Sequence, residues 1–345
     1  VEKITGLIHT FSLIGNGLLL LLIVLAVLAA LSGTVNFCRT RPLYERGGDK
    51  ILRLVCLTFA AGFLWICWFH YQLYTHISLE LPADLADWFN QQLGAAAKGK
   101  TATGLPLYDP QNPPRYVMPL WIENEKYYFW FFFYALLALR AQGKLAHHRF
   151  RAGLHLLLAV QVAILAVFAN PFQAPLPRFF AEVRPWLEGG LAPMARFGLF
   201  MRLYPRMIFY YNAEYMWIHP PLLFMAYGCI TITFLASVFM LVRRDPAIEI
   251  IGYDAAKFGY LLLTLGMLLG YPWALQAWGP SWWWDPKICS SIMMWAVFST
   301  YLHARLYANR TMMWYFSSVL GIVCFLAMVF TVSASFLFPG EHTFQ

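Results

Sequence analysis

Trp278-Gly279-Pro280-Ser281-Trp282-Trp283-Trp284-Asp285-Pro286-Lys287 places four tryptophans in seven residues and closes them with an acid, a proline and a base. The stretch lies between two long apolar runs, about 257–276 and 288–307. Indole rings are content at the headgroup depth of a membrane, so an aromatic belt with a turn is one reading. Consecutive residues point in different directions, however, and three adjacent indoles exceed what an anchor needs. The other reading is a broad, electron-rich platform for a large planar ligand, a loop over about 277–288.

Working outward, the 345 residues are 60% hydrophobic and only 12% charged, about half the charged fraction of a soluble domain. Eight apolar runs approach the length needed to cross a ~30 Å hydrocarbon core at 1.5 Å per residue. They lie at about 11–32, 51–73, 127–141, 153–170, 220–242, 257–276, 288–307 and 313–337. The predicted fold class is all-α: a polytopic integral membrane helical bundle of about eight transmembrane helices, one membrane domain over 1–345. The first run has no basic flank ahead of it and no small-residue cleavage site after it, so no cleavable signal is expected. Six cysteines without a C-x-x-C spacing argue against a thiol–disulfide enzyme, a zinc site or covalently attached heme. The net charge of +8 flanks the spans instead of forming one patch, which speaks against nucleic acid.

The basic residues orient the bundle. Arg39, Arg41, Arg46 and Lys50 follow the first run; Arg140, Lys144, Arg149 and Arg151 follow the third; Arg243 and Arg244 the fifth; Arg305 and Arg310 the seventh. The positive-inside rule puts these turns in the cytoplasm and both termini on the outer (periplasmic) side. The Trp-rich loop and the segments 74–126 and 171–219 are then outside. The first of these segments, with Gly/Ala/Lys-rich and Pro-rich stretches, reads as a surface excursion. The second carries Arg178, Arg184, Arg196, Arg202 and Arg206 on the side where basic residues are not expected. It reads as interfacial helices, their arginines either in contact with headgroups or paired with ligand carboxylates.

Histidine inside a membrane is costly, so each one there is a ligand or proton-transfer candidate. His219 opens the fifth run and His342 follows the eighth, both on the side of the Trp-rich loop. Two such histidines flanking an aromatic platform are a candidate axial pair for one heme iron. His303 lies 17 residues beyond Pro286, ~26 Å along a helix and close to the inner face. It cannot serve the outer site. His155 has a comparable depth, and a His155–His303 pair is a candidate for a second, buried heme or a proton path. His70 and His76 are candidates for lining a route to the outer site, whereas His147 and His148 fall in a basic, solvated turn.

The Trp278–Lys287 stretch resembles the WWD motif, W-G-x-x-W-x-W-D-P-K/V-E, of the heme-handling proteins of cytochrome c biogenesis. His219-Pro220-Pro221-Leu222-Leu223 resembles the segment carrying the first outer histidine, close to its form in the CcmF branch. Tyr301-Leu302-His303 is similar to the transmembrane Y-L-H of the CcsA/ResC branch, and Glu341-His342-Thr343-Phe344 to the segment with the second outer histidine. These landmarks span about 210–345. Length and span number fit the CcsA/ResC type better than the longer CcmF type.

The resemblance implies heme b held by His219 and His342 and cradled by Trp278, Gly279, Trp282, Trp283 and Trp284, with Asp285 and Lys287 orienting propionates. It implies a second, transmembrane heme at His303, whose other ligand is His155, His70 or a histidine of a partner chain. One departure stands out: the family's glutamate after Pro-Lys is here Ile288. The implied function is to move heme to the outer face of the bacterial inner membrane and present it for covalent attachment to apocytochrome c. The chain would work as part of a membrane heme lyase with a CcsB/ResB-like partner. The alternative is a heme-containing redox subunit passing electrons from quinol to a periplasmic multiheme cytochrome.

Overall fold

The computed structural model describes residues 2–38, 42–98, 105–144 and 147–340. These fold into eleven α-helices: α1 (Glu2–Cys38), α2 (Pro42–His76), α3 (Ala83–Lys98), α4 (Glu125–Lys144), α5 (His148–Phe168), α6 (Pro177–Glu188), α7 (Pro193–Arg206), α8 (Tyr215–Val242), α9 (Pro246–Trp278), α10 (Pro286–Arg305) and α11 (Thr311–Leu337). Among the described residues, six helical segments are long and apolar enough to cross a membrane: Glu2–Cys38, Gly47–His76, His148–Phe168, Tyr215–Val242, Pro246–Trp284 and Thr311–Leu337. The two remaining expected runs form α4 and α10. Their tyrosines, tryptophans and serines lower the mean hydropathy; α4 packs between α2, α5 and α8, and α10 packs mainly on α11.

Local sequence sets the helix starts. Asp245 caps α9 by accepting from the N–H groups of Ala247 and Ile248, with Pro246 in the first turn. Asp285 does the same for α10, with Pro286 behind it. The His147 ring accepts from the Phe150 N–H at the start of α5. The bundle has two halves, α1 with α2 and α5, and α8 with α9, α10 and α11; α4 packs on both α2 and α8. On α9, Gly252, Gly259 and Gly266 recur every seven residues against α8. A methyl on any of them would lie 2.5 Å from Ala236, 2.6 Å from Cys229 or 2.8 Å from Leu223. Small residues let membrane helices approach this closely and gain dispersion contacts.

Within 74–126 and 171–219, expected as a surface excursion and as interfacial helices lying along the membrane, the described residues 77–98, 105–124 and 171–214 pack on one another as a cap over the bundle end where α2 and α9 finish and α4, α8 and α10 begin. Asn90 makes two 2.8 Å bonds to the backbone of Tyr108. The Tyr204 hydroxyl donates to the Pro106 carbonyl at 3.0 Å, and the Trp186 indole to that of Ser78 at 3.0 Å. Asn212 is fixed by the Arg115 carbonyl and the Val117 N–H at 2.8 and 2.9 Å. Inside the cap Phe89, Tyr108, Phe200 and Tyr204 meet edge-on at 5.3–6.1 Å, an arrangement favoured by the aromatic quadrupole.

At the opposite bundle end Arg305, expected as a loop charge, is 4% exposed. Its guanidinium pairs with Glu249 at 3.3 Å, donates to the Ser317 hydroxyl at 2.7 Å and lies 4.6 Å above the Trp314 ring. One side chain thus ties α9, α10 and α11 together. Glu249→Ala strands this cation and is predicted to lower stability by about 3 kcal/mol. Arg184→Ala, which breaks the exposed Arg184–Glu188 pair, is predicted to cost less than about 0.5 kcal/mol. Thermal unfolding in detergent checks the contrast.

Candidate functional site

Between the cap and the bundle end lies a cavity of about 420 Å³, within the roughly 300–1,000 Å³ of small-molecule sites. Its wall is built from the starts of α4, α8 and α10, the ends of α9 and α11, and the cap.

His219, one turn into α8, lines this cavity. Its Nδ1 lies 2.6 Å from the Gly266 carbonyl oxygen. A carbonyl only accepts, so Nδ1 carries the proton and Nε2 is the basic nitrogen. Gly270, one turn further along α9, makes room for the ring: a methyl there would fall 2.5 Å from Cε1 and 2.6 Å from Nδ1. The imidazole also faces the Trp273 indole, with centroids 6.4 Å apart and planes inclined by 30°.

The tryptophan stretch divides by direction. Trp278 meets Trp273 edge-on at 4.7 Å, Trp282 meets Tyr271 at 5.2 Å, and both face the cavity. Trp283 and Trp284 point away, 53% and 73% exposed. Gly279 ends α9 with φ of 73°, a left-handed conformation that glycine takes without strain. Asp285 is buried, and its carboxylate accepts from the N–H groups of Lys287 and Ile288 at 2.9 and 3.3 Å. It is the cap of α10 and is absent from the cavity wall, which Lys287 and Ile288 both reach.

Among the described residues four basic side chains line the cavity: Lys287, Lys126 from the start of α4, and Arg178 and Arg206 from the cap. Lys126 lies within electrostatic reach of Lys287, Arg178 and Glu123. Glu182 holds Arg206 by a 2.6 Å ion pair. Glu123, also on the wall, accepts from the Arg178 and Phe179 N–H groups at 3.2 and 3.0 Å. Burial pushes its carboxyl above the ordinary range, and these two bonds pull it back. On the far wall Ser335 presents a buried hydroxyl without a hydrogen-bond partner. A basic nitrogen, an aromatic floor and clustered cations suit a large, flat ligand that carries carboxylates.

The other sequence candidates fall elsewhere. His303 is exposed on α10, its Nδ1 2.8 Å from the Ser299 carbonyl of its own helix. His155 is 3% exposed, its Nε2 3.1 Å from the Gln142 amide oxygen. The structure does not bring these two together: α5 packs on α1, α4 and α8, whereas α10 packs on α9 and α11. His70 is buried on Glu125 and does not line the cavity. His342 lies outside the described residues. Lys126, Glu123 and Gly270 are site residues that the sequence reading missed. Only the charge run Glu123-Asn124-Glu125-Lys126 ahead of an aromatic helix could have pointed to the first two.

The family profile described as "Cytochrome C assembly protein" matches residues 123–338, more than half of the chain and all of the cavity wall except Trp121 and Ile122. The chain is 33% identical to "Cytochrome c biogenesis protein CcsA" of Prochlorococcus marinus over 102 residues, 29% of this chain and 32% of that one. It is 46% identical to the protein of the same description from Cyanidium caldarium over 59 residues, 17% and 20% of the two chains. The matched parts thus span a third or less of these relatives. Among solved structures, "Cytochrome c Heme Lyase CcmF" is similar with a TM-score of 0.56 and 16% identity, covering 94% of this chain and 50% of that one. That likeness concerns the fold. On the profile match, the chain belongs to the cytochrome c assembly family.

Proposed function

We propose that the cavity binds heme at the outer face of the membrane and presents it for attachment to an apocytochrome c. The carrying observation is His219: its Nδ1 proton goes to the Gly266 carbonyl, which makes Nε2 the basic, iron-binding nitrogen, on a wall shared with four indoles and four basic side chains. The residues fit the group. A carbonyl acceptor behind a ligating imidazole fixes its tautomer and raises its basicity. Trp278 and Trp282 offer apolar surface to a macrocycle, and Lys126, Arg178, Arg206 and Lys287 offer charge-assisted bonds to its two carboxylates.

In this reading α4 and α10 also cross, making eight spans, and the basic turns at the opposite bundle end support an outer position for the cavity. His342 is the second axial ligand in this reading, supported by the last described residue before it: Gly340 packs so tightly beside the start of α10 that a methyl there would lie 2.5 Å from Asp285 Oδ2. The exposed ring of His303, near the inner end of α10, supports a second site completed by a partner chain. Bound heme would supply the vinyl groups to which cysteine thiols add. The chain's own part is to hold the iron, anchor the carboxylates and shield the site with the cap, converting an encounter into a positioned reaction.

Optical spectra with heme quantification, on the protein purified with its membrane partners, test this reading. His219→Ala is predicted to abolish the low-spin signal of the outer site, with exogenous imidazole restoring it, and His342→Ala to do the same. His303→Ala should leave that site filled. Unchanged heme content and spin state in His219→Ala would contradict the proposal. Gly270→Val should reproduce the His219→Ala spectrum by displacing the ring. Arg178→Ala and Arg206→Ala should each weaken heme binding by about 10- to 100-fold, the worth of one charge-assisted bond.

A further inference from the structure

The turn Met118–Lys126 joins the cap to α4 and gives the cavity Trp121, Glu123 and Lys126. Ordering such a turn costs backbone entropy, so something must hold it. A single side chain reaches both of its ends. His70, near the end of α2, places Nδ1 3.2 Å from the Met118 carbonyl oxygen and Nε2 2.9 Å from both carboxylate oxygens of Glu125. His70 is 7% exposed and Glu125 2%. The carbonyl can only accept, so Nδ1 donates to it, and one further proton is shared between Nε2 and the Glu125 carboxyl.

Between the clamped ends Glu123 takes φ of 44°, a left-handed conformation that residues other than glycine, asparagine and aspartate rarely adopt and that persists only where the surroundings enforce it. The enforced backbone aims the Glu123 carboxylate at the start of α6. There the N-cap residue is Leu176, which has no side-chain acceptor, and Glu123 takes the N–H groups of Arg178 and Phe179 in its place. Arg178 is thereby held with its side chain on the cavity. The chain of contacts runs from the His70–Glu125 pair through the turn and Glu123 to Arg178. Stability alone gives no reason for such a pair. Buried ion pairs exchanged for apolar residues are often neutral or stabilising, whereas their strict geometry fixes register.

We infer that His70, Glu125 and Glu123 are positioning residues that set the carboxylate-binding wall of the cavity, and so its preference for a ligand with free acid groups. This rests on the heme reading above. None of the three needs to touch the iron.

The test is a Soret titration of the full-length protein with heme and with heme dimethyl ester, whose acid groups are blocked. The wild type should prefer the free acid. Glu123→Ala and His70→Gln should each cut that preference by about tenfold, one misplaced charge-assisted bond. Ester affinity and the low-spin signature should persist. Glu125→Gln, which keeps a hydrogen-bonding group opposite Nε2, should fall between wild type and Glu125→Ala. If His70→Gln does not fold, Glu123→Ala, whose site lies in the turn, decides. A full acid preference in Glu123→Ala, or equal losses for acid and ester, would overturn the inference and leave the heme reading standing. A wild type that binds heme without preferring acid over ester would overturn the inference as well, and one that binds neither ligand would overturn the heme reading beneath it.

Discussion

The close seating of α9 on α8 is the contact on which the rest of the structure depends. Gly252, Gly259 and Gly266 remove the side chains that would hold the two helices apart. The same spacing then delivers a carbonyl and a gap, at Gly266 and Gly270, to the imidazole of His219. Any side chain at 270 would take the space of the ring, and a wider helix separation would take away the acceptor that sets its tautomer. Fold and site are therefore one packing solution: the interface that holds the bundle together also decides which histidine nitrogen faces the cavity.

A second constraint is electrostatic. Four basic side chains converge on the cavity, and the protein keeps two of them in place through carboxylates behind them: Glu182 on Arg206, and Glu123 on the backbone at Arg178. Basic groups brought this close disfavour one another's charged form. An arrangement that tolerates this repulsion favours an anionic guest, and the two acid groups of heme meet that demand. Ile288 gives the same wall an apolar side chain and no opposing charge.

Much of this was legible in the sequence because its signals are local. The apolar runs gave the all-helical membrane bundle, and the spacing of His219 and the Trp-rich loop put both at one bundle end. What was not legible depended on direction or distance. Three consecutive indoles cannot share a face, and only Trp282 of Trp282–Trp284 meets the cavity. Asp285 read as a ligand-orienting acid, yet Asp-Pro-Lys ahead of an apolar run is equally an N-cap with proline in the first turn. The cap is held by pairs such as Ser78–Trp186 and Arg115–Asn212, about a hundred residues apart and without periodic signal. Arg305 read as a loop charge because nothing local shows that Glu249, Ser317 and Trp314 converge on it.

The central claim, that this cavity holds heme on His219, meets its most direct test in a cryo-EM map of the protein purified heme-replete with its membrane partners. The account predicts a flat macrocycle over Trp278 and Trp282, iron on His219 Nε2, and acid groups turned toward Lys126, Arg178, Arg206 and Lys287. An empty cavity, or a macrocycle whose iron lies away from His219, would contradict it.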